Sequence, residues 1–172
     1  QSGVGRMGHL FGYMAFGIEP DILTSAKGLG GGIPIGATLT KNEIASSMDV
    51  GSHGSTFGGN PMACAVANKV IEIVSNPIFL EGVKKKESLL MDKLKGASKE
   101  HQAFQEIRSS GLWIGCELNN NGEVNKLLGK CYESGLIAVS AGPSTLRFAP
   151  ALNISEDEIS EGIKRLEEAL SS

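Results

Sequence analysis

The sequence predicts an α/β polypeptide, and three observations carry that expectation. Short apolar runs bounded by Gly and Pro lie in the first third of the chain. Apolar residues recur at helical spacing in later segments. Leu112, Ile114, Cys116 and Leu118 alternate with Trp113, Gly115 and Glu117, the period-2 pattern of a half-buried strand.

Residues 1–60 are Gly-rich and loop-dominated. Of the 23 glycines, many concentrate at Gly3 to Gly17, Gly28 to Gly36 and Gly51 to Gly59, where backbone must turn tightly or approach something closely. Ile22-Leu23 and Ile33 to Leu39 suit buried strands there. Asn60-Pro61 supplies an N-cap and a first helical proline, and Met62, Val66, Val70 and Ile73 continue at helical spacing to Asn76-Pro77. A second helix is expected from about Phe79 to Lys99, with Val83, Leu90, Leu94 and Ala97 inward and Lys84-Lys85-Lys86 solvated. After the alternating strand, Val124, Leu127, Leu128 and Cys131 mark a helix closed by Gly135. Leu136 to Val139 and Leu146 to Phe148 read as short strands. Ser155-Glu156-Asp157-Glu158 is a capping box, and Ile154 can staple to Ile159. Ile159, Ile163, Leu166 and Leu170 form the apolar stripe of the last helix. The expected division is residues 1–76 and residues 77–172, the latter an α+β unit of antiparallel strands covered by helices.

Composition narrows the function classes. With 172 residues, 41% of them hydrophobic, the chain can bury an ordinary core. A net charge of −3, spread along the sequence, leaves no electrostatic footprint for nucleic acid or an anionic membrane. No apolar run approaches the ~18 residues that cross a bilayer, and no basic-then-apolar leader opens the chain, so a cytoplasmic setting is expected. Cys64, Cys116 and Cys131 lack Cys-x-x-Cys spacing and are expected to be buried thiols, neither disulfide framework nor zinc site. His9, His53 and His101 lack metal-ligand spacing, and His53 is expected to be a structural hydrogen-bonding residue.

Three segments hold candidate chemistry. In Pro20 to Gly32, Lys27 stands between an apolar run and a glycine cluster; a desolvated lysine there has the lowered pKa that a Schiff base requires, and the glycines let a planar cofactor approach. In Gly51 to Pro61, the hydroxyls of Ser55 and Thr56 precede a helix N-terminus, an arrangement suited to an anion, although a simple capping loop has the same composition. Arg147 lies within the apolar Leu146 to Pro150 segment, and its fork requires either a structural acid or a substrate carboxylate. A competing signal is Gly3-Val4-Gly5-Arg6-Met7-Gly8, with Asp21 at roughly the distance of a dinucleotide-binding acid. Gly12, Gly17 and Pro20 interrupt the helix that such a site needs, so these glycines are expected to form a turn.

In order along the chain, Gln1 to Gly8, Pro20 to Gly32, Gly51 to Pro61 and Leu146 to Pro150 resemble the class III aminotransferases of fold type I, most closely the acetylornithine and succinylornithine branch. The resemblance implies the C-terminal portion of a large cofactor domain followed by the small C-terminal α+β domain. It also implies pyridoxal 5′-phosphate as cofactor. Lys27 matches the lysine that binds the cofactor aldehyde and later shuttles the proton. Gln1 matches a glutamine near the cofactor 3′-oxygen. Thr56 matches a threonine that reaches the phosphate in the neighbouring subunit of a homodimer, and Ser55 beside it is expected to contact both cofactor and substrate. Arg147 matches the arginine that receives the α-carboxylate of glutamate.

The implied reaction moves the δ-amino group of N-acetylornithine to 2-oxoglutarate in arginine metabolism. Ornithine and 4-aminobutyrate aminotransferases are the nearest rivals, and a non-catalytic interaction module is the alternative from another class. In the family, an Asp-Glu-Val precedes the glutamine, and its aspartate pairs with the pyridinium nitrogen. That triplet, the phosphate cup, the ring-stacking aromatic and the distal-carboxylate arginine have no counterpart in these residues. The expectation is therefore an N-terminally truncated chain, inactive by itself and a poor binder of the cofactor.

Overall fold

The computed structural model describes residues 1–119 and 123–172, which form two compact units, Gln1–Leu80 and Glu81–Ser172. Among the described residues no single helix is long and apolar enough to cross a membrane.

The first unit opens with tight turns over residues 3–10 and a 3-10 helix, Gly12–Phe16. Strands β1 (Ile22–Ser25) and β2 (Ala37–Thr40) pair antiparallel, with Ile22 opposite Thr40 and Ser25 opposite Ala37. The strands expected here to be buried are instead a two-stranded ribbon: Ile22 and Leu39 remain exposed, and Ile33 to Gly36 adopts no strand. Within the described residues no third strand or covering layer lies on this ribbon to bury these side chains. After the short helix α1 (Asn42–Ala45), a loop leads to α2 (Pro61–Val74). Asn60 caps α2 as expected, its side chain accepting the Ala63 N–H at 2.9 Å.

The apolar face of α2 departs from expectation. Met62 and Ile73 are exposed, and the buried residues are Ala63, Ala67 and Val74. Helical spacing alone does not show that α2 lies against a glycine turn, where small side chains permit close approach. Val4, Leu29, Ala67 and Val74 make the core of this unit, with Val70, Ile71 and Phe79 packed around it.

Helix α3 (Pro77–His101) starts where Asn76 Oδ1 accepts the Ile78 N–H, and it buries Val83, Leu90, Leu94 and Ala97 as its spacing requires. In the second unit, β3 (Phe104–Ser109), β4 (Ile114–Leu118), β5 (Val139–Ser140) and β6 (Thr145–Phe148) form an antiparallel sheet in the order β3-β4-β6-β5. Ile114, Cys116 and Leu118 point into the core, confirming the alternation. The strand expected over Leu136 to Val139 contracts to Val139–Ser140, and Ile137 is exposed.

Helices α4 (Val124–Glu133) and α5 (Glu156–Ser171) complete this unit. Gly135, at φ +74°, follows α4 in the left-handed conformation that its closing role demands. The capping box on α5 forms in both directions between Ser155 and Glu158. Ala169 takes the core position expected for Leu170. Of the cysteines, Cys116 and Cys131 are buried, whereas Cys64 is only half-buried on α2.

Candidate functional site

Lys27 stands two residues after β1, at the first position of a 3-10 turn, Lys27–Gly30. Its φ is +51°, a left-handed conformation that costs a residue bearing a Cβ and clusters at functional sites. The turn is held from below, because Leu29 and Gly30 are buried. Packing explains two of the following glycines. A Cβ on Gly30 would meet Ile35 Cγ2 at 2.9 Å, and one on Gly31 would meet Val70 Cγ2 at 3.1 Å. Those glycines serve the seating of the turn on its own core, which corrects the expectation that they open space for a planar cofactor. Gly32, at φ +110°, does face open space.

Lys27 itself is exposed, so the residues of this chain do not supply the desolvation expected of it. Its Nζ donates to Gln1 Oε1 at 2.7 Å. That contact brings together two of the expected site residues. Among the described residues no carboxylate pairs with Nζ, and its hydrogen-bond partner is the neutral Gln1 amide. A primary amine held by an amide and open to solvent can meet an aldehyde. The residues present therefore fit a carbonyl cofactor.

The Gly3 to Gly8 motif lies behind this turn. Gly5 N–H donates to His9 O at 3.2 Å and Gly8 N–H to Gly5 O at 2.9 Å, closing tight turns instead of opening a helix. Val4 is buried at φ +51°, and a Cβ on Gly28 would come within 3.6 Å of Val4 Cβ. Asp21 is engaged by Lys41 at 2.7 Å, with the aspartate raising the lysine's pKa. The motif thus props the lysine turn, and the dinucleotide geometry is not formed.

In the Gly51 to Pro61 loop, Ser55, Thr56 and His53 are all exposed. Ser55 Oγ accepts the Gly58 N–H at 2.8 Å, which leaves its own hydroxyl proton available. Asn60 performs the capping and also donates to Phe57 O at 2.9 Å. Capping therefore does not consume the Ser55 or Thr56 hydroxyl.

Arg147 lies in the second unit, on β6, opposite Gly115 on β4 and Val139 on β5. Arg108 on β3 is also opposite Gly115, so both arginines lie in one row across the sheet with a glycine between them. This is the face away from Ile114 and Cys116. Here Arg147, Thr145, Arg108 and Trp113 line a shallow depression. Arg147 Nε is buried and has no hydrogen-bond partner, and no described acid pairs with the guanidinium. An orphaned buried donor is uncommon in a folded protein.

In the neighbouring row, Glu117 accepts hydrogen bonds from Ser144 Oγ and Thr145 Oγ1 and meets Arg108 Nη2 at 3.3 Å. The two hydroxyls, then Arg108, hold its carboxyl below the usual value. No local sequence pattern announces this network beyond Glu117 at an outward position of the alternating strand.

A family model described as aminotransferase class-III matches residues 1–170. The chain belongs to the class-III aminotransferases. These are pyridoxal-phosphate-dependent transaminases with the mixed helix-and-sheet fold seen here. The chain is 53% identical over 172 residues to succinylornithine transaminase of Photorhabdus laumondii subsp. laumondii, covering 99% of this chain and 43% of that protein. It is 46% identical over 174 residues to acetylornithine/succinyldiaminopimelate aminotransferase of Yersinia pestis, covering 100% and 43%.

Among solved structures it is similar to N-acetylornithine aminotransferase from Stenotrophomonas maltophilia K279a, with a TM-score of 0.90 and 36% identity over 99% of this chain and 45% of that one. The Plasmodium falciparum ornithine delta-aminotransferase gives 0.89 and 31% over 99% and 44%. This class-III aminotransferase chain therefore spans under half the length of these relatives.

Proposed function

We propose that the chain forms the lysine-bearing portion of a homodimeric transaminase that moves the δ-amino group of an acylated ornithine, N-acetylornithine in the first instance, to 2-oxoglutarate. The observation that carries the reading is Lys27: a solvent-open amine, held by Gln1 on a left-handed turn with a buried base. In this reading residues 1–76 are the end of the cofactor domain and residues 77–172 the small domain.

Pyridoxal 5′-phosphate, when bound, supplies the aldehyde that takes up the amino group and the ring that withdraws electrons. Lys27 Nζ would hold that aldehyde and would carry the proton to and from the amine-bearing carbon of the substrate. Gln1 orients Nζ and would be the residue that meets the cofactor's ring oxygen. Thr56, with Ser55 beside it, would donate its hydroxyl to the cofactor phosphate of the neighbouring subunit. Arg147 receives the α-carboxylate of glutamate, and its unpartnered Nε supports that role.

The names of relatives support an acylated donor: those of the succinylornithine transaminases and of the acetylornithine enzyme from Yersinia pestis. The test compares kcat/KM of the full-length enzyme for N-acetylornithine, succinylornithine and free ornithine. The reading expects both acylated donors to exceed ornithine and Lys27→Ala to abolish turnover. A preference for ornithine or 4-aminobutyrate would transfer the chain to those branches. Full activity of Lys27→Ala would end the transaminase assignment of this residue.

A further inference from the structure

Among the described residues, three that carry a Cβ adopt a positive φ: Val4 and Lys27 at +51° and Gln102 at +49°. Two of the three meet at the lysine turn. Left-handed backbone suits a β-branched residue least, whereas glycine adopts it freely. Yet position 4, between Gly3 and Gly5, holds valine. Glycine would serve the turn alone, so the strained backbone points to a task for the side chain. Val4 is 5% exposed and shares a core with Leu29, Ala67 and Val74. Its Cβ and Cγ1 stand 3.6 and 3.8 Å from the point a Cβ on Gly28 would occupy, so its isopropyl group lies against the backbone next to Lys27. The same segment holds the lysine at its tip, where Gln1 Oε1 accepts from Nζ at 2.7 Å. Val4 is fixed in turn, because Gly5 N–H donates to His9 O at 3.2 Å and to Leu10 O at 3.3 Å, and Leu10 packs on the same core. All of these contacts lie inside the first unit, which already buries Val4.

We propose that Val4 is a positioning residue: its branched side chain, packed against Gly28, sets the height of the lysine turn and with it the point that Lys27 Nζ reaches. This rests on the reading of Lys27 as the residue that holds the cofactor aldehyde. Truncating the side chain leaves a gap beside Gly28 that the surroundings fill only in part. The turn settles towards the gap, and Nζ is drawn away from the aldehyde and from the substrate carbon. A misplacement of about 1 Å costs on the order of 10²-fold in a step that depends on alignment, and a partial shift costs about tenfold.

The test uses the full-length enzyme and its variants Val4→Ala, Val4→Thr and Val74→Ala. Val4→Thr keeps the branched shape but buries a hydroxyl, so it loses stability and retains the packing against Gly28. Val74→Ala makes the same truncation in the same core, at the last residue of α2. Each protein, freed of cofactor, is mixed with pyridoxal 5′-phosphate and reduced with borohydride at intervals, and peptide mass spectrometry follows the adduct on Lys27. Val4→Ala should lower the rate of its appearance about tenfold. Val4→Thr and Val74→Ala should match wild type, although all three variants unfold at a lower temperature. In single turnovers Val4→Ala should slow both half-reactions about tenfold and leave the half-saturating substrate concentrations unchanged, because a buried Val4 offers a substrate no surface.

An adduct rate that is unchanged in Val4→Ala, or that falls as far in Val4→Thr or Val74→Ala, overturns the inference and leaves Val4 an ordinary core residue. If the wild-type adduct forms on another lysine, the reading of Lys27 itself fails and the inference falls with it. Should Val4→Ala not fold, Val4→Gly, which suits the left-handed backbone, takes its place with the same expectations and the same overturning result.

Discussion

At the scale of single residues, backbone and burial say more than residue type. Lys27 occupies a conformation that a residue with a Cβ adopts at a cost, and the buried Leu29 and Gly30 beneath it bear that cost. Sequence located this lysine through the glycines around it, but assigned those glycines the wrong partner. Gly30 and Gly31 are small because Ile35 and Val70 are close, which no local pattern announces. The cysteines allow a direct check on burial. Burial pushes the Cys116 thiol up to about 12 and raises that of Cys131, while Cys64 is half-buried. A raised folded-state value means that the protonated thiols stabilise the fold below the ordinary thiol range, a contribution lost as pH rises through the raised values. Alkylation at neutral pH should therefore label Cys64 first, with Cys116 and Cys131 reacting only after denaturant is added. Peptide mass spectrometry reads the order, and early labelling of Cys116 would contradict the packing.

At the scale of elements, what was legible was what is locally encoded. The cap of α2, the buried stripe of α3 and the capping box of α5 all follow from residues within a few positions of one another. Strand β3 was not legible because its apolar residues, Phe104 and Ile107, are three apart, out of phase for a strand. A register shift between Phe104 and Glu106 absorbs the extra residue. The two-stranded ribbon and the alanine face of α2 depend on tertiary neighbours and were misread for that reason.

Helix α5 offers the quantitative test. Ser155→Ala should cost about 1 kcal/mol in chemical denaturation. The Ser155 backbone N–H and then its hydroxyl hold the Glu158 carboxyl below its ordinary 4.5. That contribution is complete above the ordinary value and is lost as pH falls through the lowered one. Ser155→Ala keeps the backbone N–H and removes only the hydroxyl's share, so the gap between wild type and variant should narrow in acid by that share. A gap that does not change with pH would count against the hydroxyl's hydrogen bond to the charged Glu158 carboxylate.

At the scale of the whole molecule, family membership was readable because four motifs recur in order, and the matched model covers nearly the entire chain. The site was readable in part. Lys27 and Gln1 meet as the motifs imply, whereas the network around Glu117 depends on the pairing of three strands distant in sequence. The chain spans under half the length of its relatives, so the central claim is tested on the full-length enzyme. Borohydride reduction in the presence of pyridoxal 5′-phosphate, followed by peptide mass spectrometry, addresses it most directly. The account predicts a single reduced adduct on Lys27 that disappears in Lys27→Ala. An adduct on another lysine, with Lys27 unmodified, would contradict it.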